Sequence, residues 1–400
     1  MKIAVSSYDH IYSMDVDKKS IHLAVLDKEK VVKKKTFPND PHNIWNYLKT
    51  TYCLQRGIYV YEAGPTGYGL YDFLKEKGED CAVAVPSMIP KAPGQRVKTN
   101  KLDAYNLGVQ LRTGDLRLVQ VPEKKYRDLR HLTRLRLKYS RGIVKSKNQL
   151  RGLYLFEGIP FPDGHWSRRL ISELCEIKYR PVVDFSVGQY LKNLYFFRTQ
   201  ELKTLAEIRR FCRADEEINR CILCMMSIPG FGWIVSTYLL GCLGGYKHLQ
   251  SATKTAGFFG LGPRENSTGE RVRKGTITAV GDPNGRKMII QASWIAIKKD
   301  TELKTVYINT CRVNPPAIGK QKGIVAVARK LIRRCHAVLR DQRPFEKRSL
   351  ETLNDQKESF APGSLDSRRV RGNLLSRGTT LEKENPGQLL LPKRGALNSV

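Results

Sequence analysis

A chain of 400 residues with 41% hydrophobic content can form two or three domains with real cores. Its net charge of +32 exceeds what solubility requires and points to a polyanionic partner, since neutralising phosphates releases counterions. The chain shows no apolar run of about 18 residues and no charged-then-apolar leader, which argues against a membrane span or a secretory signal. Nine cysteines, an odd number, fit a reducing cytoplasmic compartment, close to the nucleoid if the partner is DNA.

Ile11 to Leu26 reads as two alternating apolar strands around a polar corner at Asp17-Lys18-Lys19, with Asp15 near the end of the first. An Asp in a strand either caps a corner or projects from the sheet to hold a positive group, and this stretch leaves both open. Val31 to Phe37 continues as a strand, Pro41 to Thr51 as a helix, Gly57 to Tyr61 as a strand, Gly67 to Lys77 as a helix and Cys81 to Val85 as a strand. Three strands followed by alternating strand and helix is the order of a ribonuclease H-like fold. Glu62 follows an apolar strand and should emerge at its C-terminal edge, where open α/β sheets bind ligands. Lys98 to Ala104 opens a helix running to about Thr113, with Asn100 and Asp103 on one face. Asp15, Glu62 and Asp103 gathered at one sheet edge could bind Mg²⁺ or Mn²⁺ for phosphoryl transfer; alternatively Asn100 caps the helix and Asp103 is a first-turn charge.

Pro122 to about Tyr154 reads as one long basic helix. Arg130, Arg134, Lys138, Arg141 and Lys145 belong to a cationic row that few acids balance, and a phosphate backbone is its natural partner. Ser186 to Met226 reads as a second long helical stretch, suited to a hairpin or a coiled coil between two copies. Cys221 and Cys224 fall within it among Ile222, Leu223, Met225 and Met226, as on a buried helix face rather than a zinc site. Pro229-Gly-Phe-Gly232 resembles a helix-hairpin-helix turn, whose amides can bind a phosphate. A glycine-rich polar loop follows, in which Ser267 and Thr268 are surrounded by Arg264, Arg271, Arg273 and Lys274. Such a loop serves either as a DNA-binding turn or as the approach of a phosphate-attacking hydroxyl.

The segments MDVDKKSIHLAVLD, YEAGPTGYGLYDFLKEKG and VKTNKLDAYNLGVQLR resemble the catalytic segments of the RuvC-like domain of insertion-sequence-110 family transposases. GLGPRENSTGERVRKGTIT and the stretches after it resemble the C-terminal domain of the same family. The resemblance covers about residues 10 to 340, with motifs in family order. It implies metal-binding roles for Asp15, Glu62 and Asp103, and departs at Asn100, where the family has a fourth acid. Asn100 keeps an oxygen donor but no charge. It also implies that Ser267 is the nucleophile, that the protein acts as a homodimer or higher homo-oligomer, and that a structured noncoding RNA pairs with donor and target DNA.

The expected architecture is α/β plus α. Residues 1–121 would form the RuvC-like domain, 122–226 a basic helix and helical coiled-coil region, 227–340 a mainly α transposase domain, and 341–400 a disordered tail. The expected function is that of a transposase or DNA recombinase. The alternatives are a water-using nuclease or junction resolvase, and a catalytically silent nucleic-acid-binding protein.

Overall fold

The computed structural model describes residues 4–27, 31–52, 56–89, 100–247, 249, 251–265 and 274–346. Strands β1 (His10–Val16), β2 (Ser20–Leu26) and β3 (Val31–Pro38) form an antiparallel meander. After α1 (Pro41–Thr51) come β4 (Gly57–Glu62), α2 (Gly69–Glu76), β5 (Asp80–Ala84), α3 (Asn100–Thr113) and the short β6 (Leu118–Val119). The sheet order is β3-β2-β1-β4-β5-β6, with β4 parallel to β1 and β5 parallel to β4. This agrees with the ribonuclease H-like order read from the sequence.

Strict alternation gives the sheet two apolar faces. Tyr12, Met14, Ile21, Leu23, Val25, Tyr59 and Tyr61 pack with Ile44 and Leu48 of α1 and Leu70 and Leu74 of α2. Ile11, Ala24, Leu26, Ile58 and Val60 pack on the other face with Ala104, Leu107 and Leu111 of α3. Gly108 lets α3 lie close, since a Cβ there would stand 2.6 Å from Leu26 Cδ1. Ser13 Oγ donates to the Ala104 carbonyl at 2.6 Å, which sets the first turns of α3 over β1.

The next part is helical: α4 (Lys124–Phe156), α5 (Arg168–Glu176), α6 (Pro181–Ala214) and α7 (Glu216–Met226). Helices α4 and α6 run antiparallel, as the contacts Lys125–Asp215, Arg136–Glu201 and Gly142–Phe197 require. The helical stretch expected over 186–226 is two helices that meet at Asp215, whose carboxylate caps α7 at the Ile218 amide and pairs with Lys125. Replacing an intrahelical bond with a side-chain cap ends one helix and starts the next.

Helices α8 (Trp233–Leu243), α9 (Ala252–Phe258), α10 (Pro283–Lys299), α11 (Thr301–Arg312) and α12 (Pro316–Asp341), with the small hairpin β7 (Pro263–Glu265) and β8 (Lys274–Ile277), complete the described chain. Their core includes Leu239, Phe259, Ile289, Val327 and Leu331, together with Tyr126, Leu129, Ile208, Ile218 and Cys221. It therefore crosses residue 226 and takes in α7 and the base of the α4–α6 hairpin. Cys221 and Cys224 are buried in it as free thiols, the helix-face reading. Gly230, at φ 88°, is needed between α7 and α8 because a Cβ there would meet the Ala292 carbonyl at 2.3 Å. That turn is packed against α10. The chain is ordered past residue 341: Phe345 stacks under Arg334, and its amide donates to Ser227 Oγ at 2.6 Å. Residues 342–346 are therefore packed on the fold, and residues 347–400, on which the rest of the expected tail falls, lie outside the described ones. Among the described residues, no helix is long and apolar enough to cross a membrane.

Candidate nucleic-acid site

The acids come from three elements that the sheet brings together. Met14 is registered with Tyr61, so Asp15 and Glu62 are the next residues of adjacent parallel strands. Asp15 shares the face of Ile11 and Ser13, and Glu62 that of Ile58 and Val60, so both lie on the α3 side. Asp103 precedes Ala104, the residue bonded to Ser13, two positions from Asp15. Burial pushes the Asp15 carboxyl above the usual carboxylate range; the charges of Asp17, Asp103 and Glu62 add to the rise and His22 opposes it. Asn100 is the first residue of α3.

Among the described residues, no group of three His, Cys, Asp or Glu side chains is arranged to hold a metal ion. The acids thus share a face, but the expected convergence to metal-bridging distance is not found. Like charges oppose the closure of a carboxylate cluster, and a divalent cation would relieve that opposition. As an oxygen-rich, negatively charged donor set, these residues fit a hard cation such as Mg²⁺.

The cationic row of α4 divides when its contacts are traced. Arg134, Lys138, Arg141 and Lys145 are exposed, and their spacing of four, three and four places them on one stripe. Arg141 also donates to the Asn284 side chain at the start of α10. Arg130 does not belong to the stripe. Its Nε and Nη2 donate to the Gly241 and Cys242 carbonyls, each at 2.9 Å, at the end of α8. Burial lowers its pKa, the mark of a guanidinium held inside the fold. The sequence pattern counted it as a surface cation because α8 is more than 100 residues away.

Around the β7–β8 hairpin, Arg264 is exposed and donates through Nη2 to the Thr278 carbonyl at 3.3 Å. Lys274 starts β8. Ser267, Thr268, Arg271 and Arg273 lie outside the described residues. The two stalks of the hairpin are joined by the Thr278 amide, which donates to the Gly262 carbonyl at 2.8 Å. Below them, Asp282 caps α10 and accepts from Tyr238 Oη at 2.9 Å and Cys242 Sγ at 3.2 Å. Residues that sequence reasoning missed here are His22 and Asp282. The first reads as an ordinary strand residue; the second carried the signal Asp-Pro before a helix.

A mixed six-stranded sheet followed by a mostly helical region is consistent with a ribonuclease H-like transposase domain of the DEDD type. A family model for such transposases of the IS110 type matches residues 13–156, and one described as the transposase IS116/IS110/IS902 family matches residues 223–308. Together they cover more than half of the chain, which belongs to the IS110 family of transposases. It is 29% identical over 266 residues to y4qE of Sinorhizobium fredii, a protein named as a transposase, covering 66% of this chain and 60% of that one. It is 22% identical over 299 residues to the transposase for insertion sequence element IS1111A of Coxiella burnetii, covering 71% of this chain and 78% of that one. It is 27% identical over 143 residues to the pilin gene-inverting protein of Moraxella bovis, covering 36% and 44%. The chain thus spans less than two thirds of y4qE and less than half of the pilin gene-inverting protein.

Proposed function

We propose that this chain is the transposase of an insertion sequence, cleaving and rejoining DNA by phosphoryl transfer. The observation that carries the reading is the placement of Asp15, Glu62 and Asp103 around one corner of the α3 side, in a chain whose family consists of transposases. Asp15, Glu62 and Asp103 would hold Mg²⁺ or Mn²⁺, with Asn100 as a fourth, neutral oxygen donor. Bound there, a divalent ion supplies charge that stabilises the attacking and leaving oxygens of a phosphodiester. Ser267 is the proposed nucleophile: its Oγ bonds to phosphorus, one bridging P–O bond breaks, and the leaving strand departs with its hydroxyl. The serine proton passes by way of a base to the leaving oxygen, and attack by a second strand's hydroxyl, whose proton returns by the same route to the serine oxygen, releases the serine and rejoins the DNA. Arg264, Arg271, Arg273 and Lys274 would face the phosphate oxygens in the transition state.

The exposed stripe Arg134, Lys138, Arg141 and Lys145 would follow a phosphate backbone. That the backbone includes a structured noncoding guide RNA, and that two copies complete one site, are parts of the proposal carried by the family resemblance. Exposed Phe185, Tyr195 and Leu202 along α6 support association of copies.

The test is denaturing electrophoresis of labelled DNA incubated with protein, divalent metal and RNA transcribed from the flanks of the element. Ser267→Ala is expected to abolish both the nick and the label retained on protein while keeping nucleic-acid affinity. Cleavage that survives Ser267→Ala would point to a water-using nuclease. Wild type that cleaves under no condition, while Asn100→Asp does, would point to a silent binder.

A further inference from the structure

The row of residues through Asp15 continues across the sheet away from Glu62. Asp15 is registered with His22 on β2, and His22 with Thr36 on the edge strand β3. Registered residues share a face, so His22 and Thr36 lie on the α3 side with the acids. The imidazole is held from both ends, Nδ1 at 3.0 Å from Thr36 Oγ1 and Nε2 at 3.3 Å from Ser20 Oγ. A hydroxyl that accepts from a ring N–H keeps its own proton free for an outside acceptor. One step along the same face, Lys34 is registered with Ala24, and its ammonium sits 4.8 Å from the centre of the Tyr105 ring on α3. Lys35 points the other way, over Tyr47 of α1 at 4.0 Å. Lysines on an edge strand also discourage sheet-to-sheet aggregation, but that purpose is indifferent to face.

We propose that a nucleic-acid strand reaches the acids across the β2–β3 side of the sheet, its phosphates held by Lys34 and by the hydroxyl, Ser20 or Thr36, that the His22 ring leaves free to donate. The proposal rests on the reading of the acids as a phosphoryl-transfer site. Such a site needs negative charge where a cation sits and hydrogen-bond donors where the strand's own negative charge lies. This side of the sheet supplies both, carboxylates at Glu62 and Asp15 and then donors in the hydroxyl that His22 orients and in the Lys34 ammonium. Helix α3 covers the middle of this face through Ala104 and Leu107, and the row lies at the N-terminal end of that helix. Thr36 and Lys34 are exposed, and His22 and Ser20 half-buried, as groups that meet a partner from solvent must be.

The experiment uses the full chain and a fluorescein-labelled DNA oligonucleotide, with affinity measured against salt concentration. Lys34→Gln is expected to lower the slope of log K against log salt by about one, the change for one phosphate contact. Lys35→Gln, one residue away and on the opposite face, is expected to leave slope and affinity unchanged. His22→Ala, which removes the ring that orients the two hydroxyls, and Thr36→Val, which removes one of them, are each expected to weaken binding roughly three- to tenfold. Equal effects of Lys34→Gln and Lys35→Gln, or no effect of either, overturn the proposal. Cleavage by Asp15→Asn separates the two readings: if that variant still cuts DNA the acid site itself is wrong, and if it does not while Lys34→Gln binds as wild type, only the strand path is.

Discussion

Arg127, in the first turn of α4, grips Asp72 of α2 with both ends of its guanidinium, Nη2 to Oδ1 at 2.6 Å and Nη1 to Oδ2 at 2.9 Å. The contact ties the sheet layer to the basic helix and so fixes where the stripe stands relative to the acids. Both side chains are largely shielded, at 15% and 29% exposure, so the pair is screened less than a surface ion pair. Asp72→Ala is expected to cost about 1.5–3 kcal/mol, the range for hydrogen bonds to a charged group, read as a lower urea midpoint. Cleavage should fall more than nucleic-acid affinity, because each half keeps its own contacts and only their registration is lost. Unchanged stability in Asp72→Ala would show that the halves are held by apolar packing alone.

Arg130 and the stripe should separate cleanly in the same assays. Arg130→Ala leaves two carbonyls at the end of α8 without their donors and is expected to cost about 1–3 kcal/mol, with the salt dependence of binding unchanged. Charge reversal of Arg134, Lys138 and Lys145 to Glu should do the opposite. Those side chains are exposed, so stability should hold, while the slope of log K against log salt should fall by roughly 2–3 units. A stripe variant with the wild-type slope would make this face merely solvated.

Much of the sheet was legible because its strands alternate strictly and its breaks carry turn residues. β1, β2 and α1 fall where the apolar pattern puts them, and Glu62 sits at the strand end that its position after Ile58–Tyr61 predicts. What could not be read depends on contacts between distant residues. Nothing local distinguishes Arg130 from Arg134; only the end of α8 does. The break at Asp215 was hidden because apolar periodicity continues through it, whereas its cap and its partner Lys125 are set by folding. His22 looked like one more strand residue because its meaning lies in register, in having Asp15 on one side and Thr36 on the other.

The last prediction concerns the cost of gathering acids. Asp15 has a folded pKa raised by burial and by Asp17, Asp103 and Glu62. A raised carboxyl pKa means that the folded chain holds the proton more tightly than the unfolded one. The stability linked to that proton is fully present below the unfolded value, near 3.9, and is lost as pH rises through the folded value. At neutral pH without divalent metal, the ionised Asp15 therefore destabilises the fold. Asp15→Asn removes the charge and keeps the shape, so it should raise the melting temperature at pH 7 while abolishing cleavage. The gain should vanish as pH is lowered toward the unfolded value, where wild-type Asp15 is protonated as well. Adding Mg²⁺ or Mn²⁺ should stabilise wild type more than Asp15→Asn, because a ligand stabilises the state that binds it. Differential scanning calorimetry across pH, with and without metal, reads all three. A melting temperature lowered by Asp15→Asn at pH 7 would mean that the carboxylate is held by favourable partners and that the acids do not form a strained, cation-seeking group.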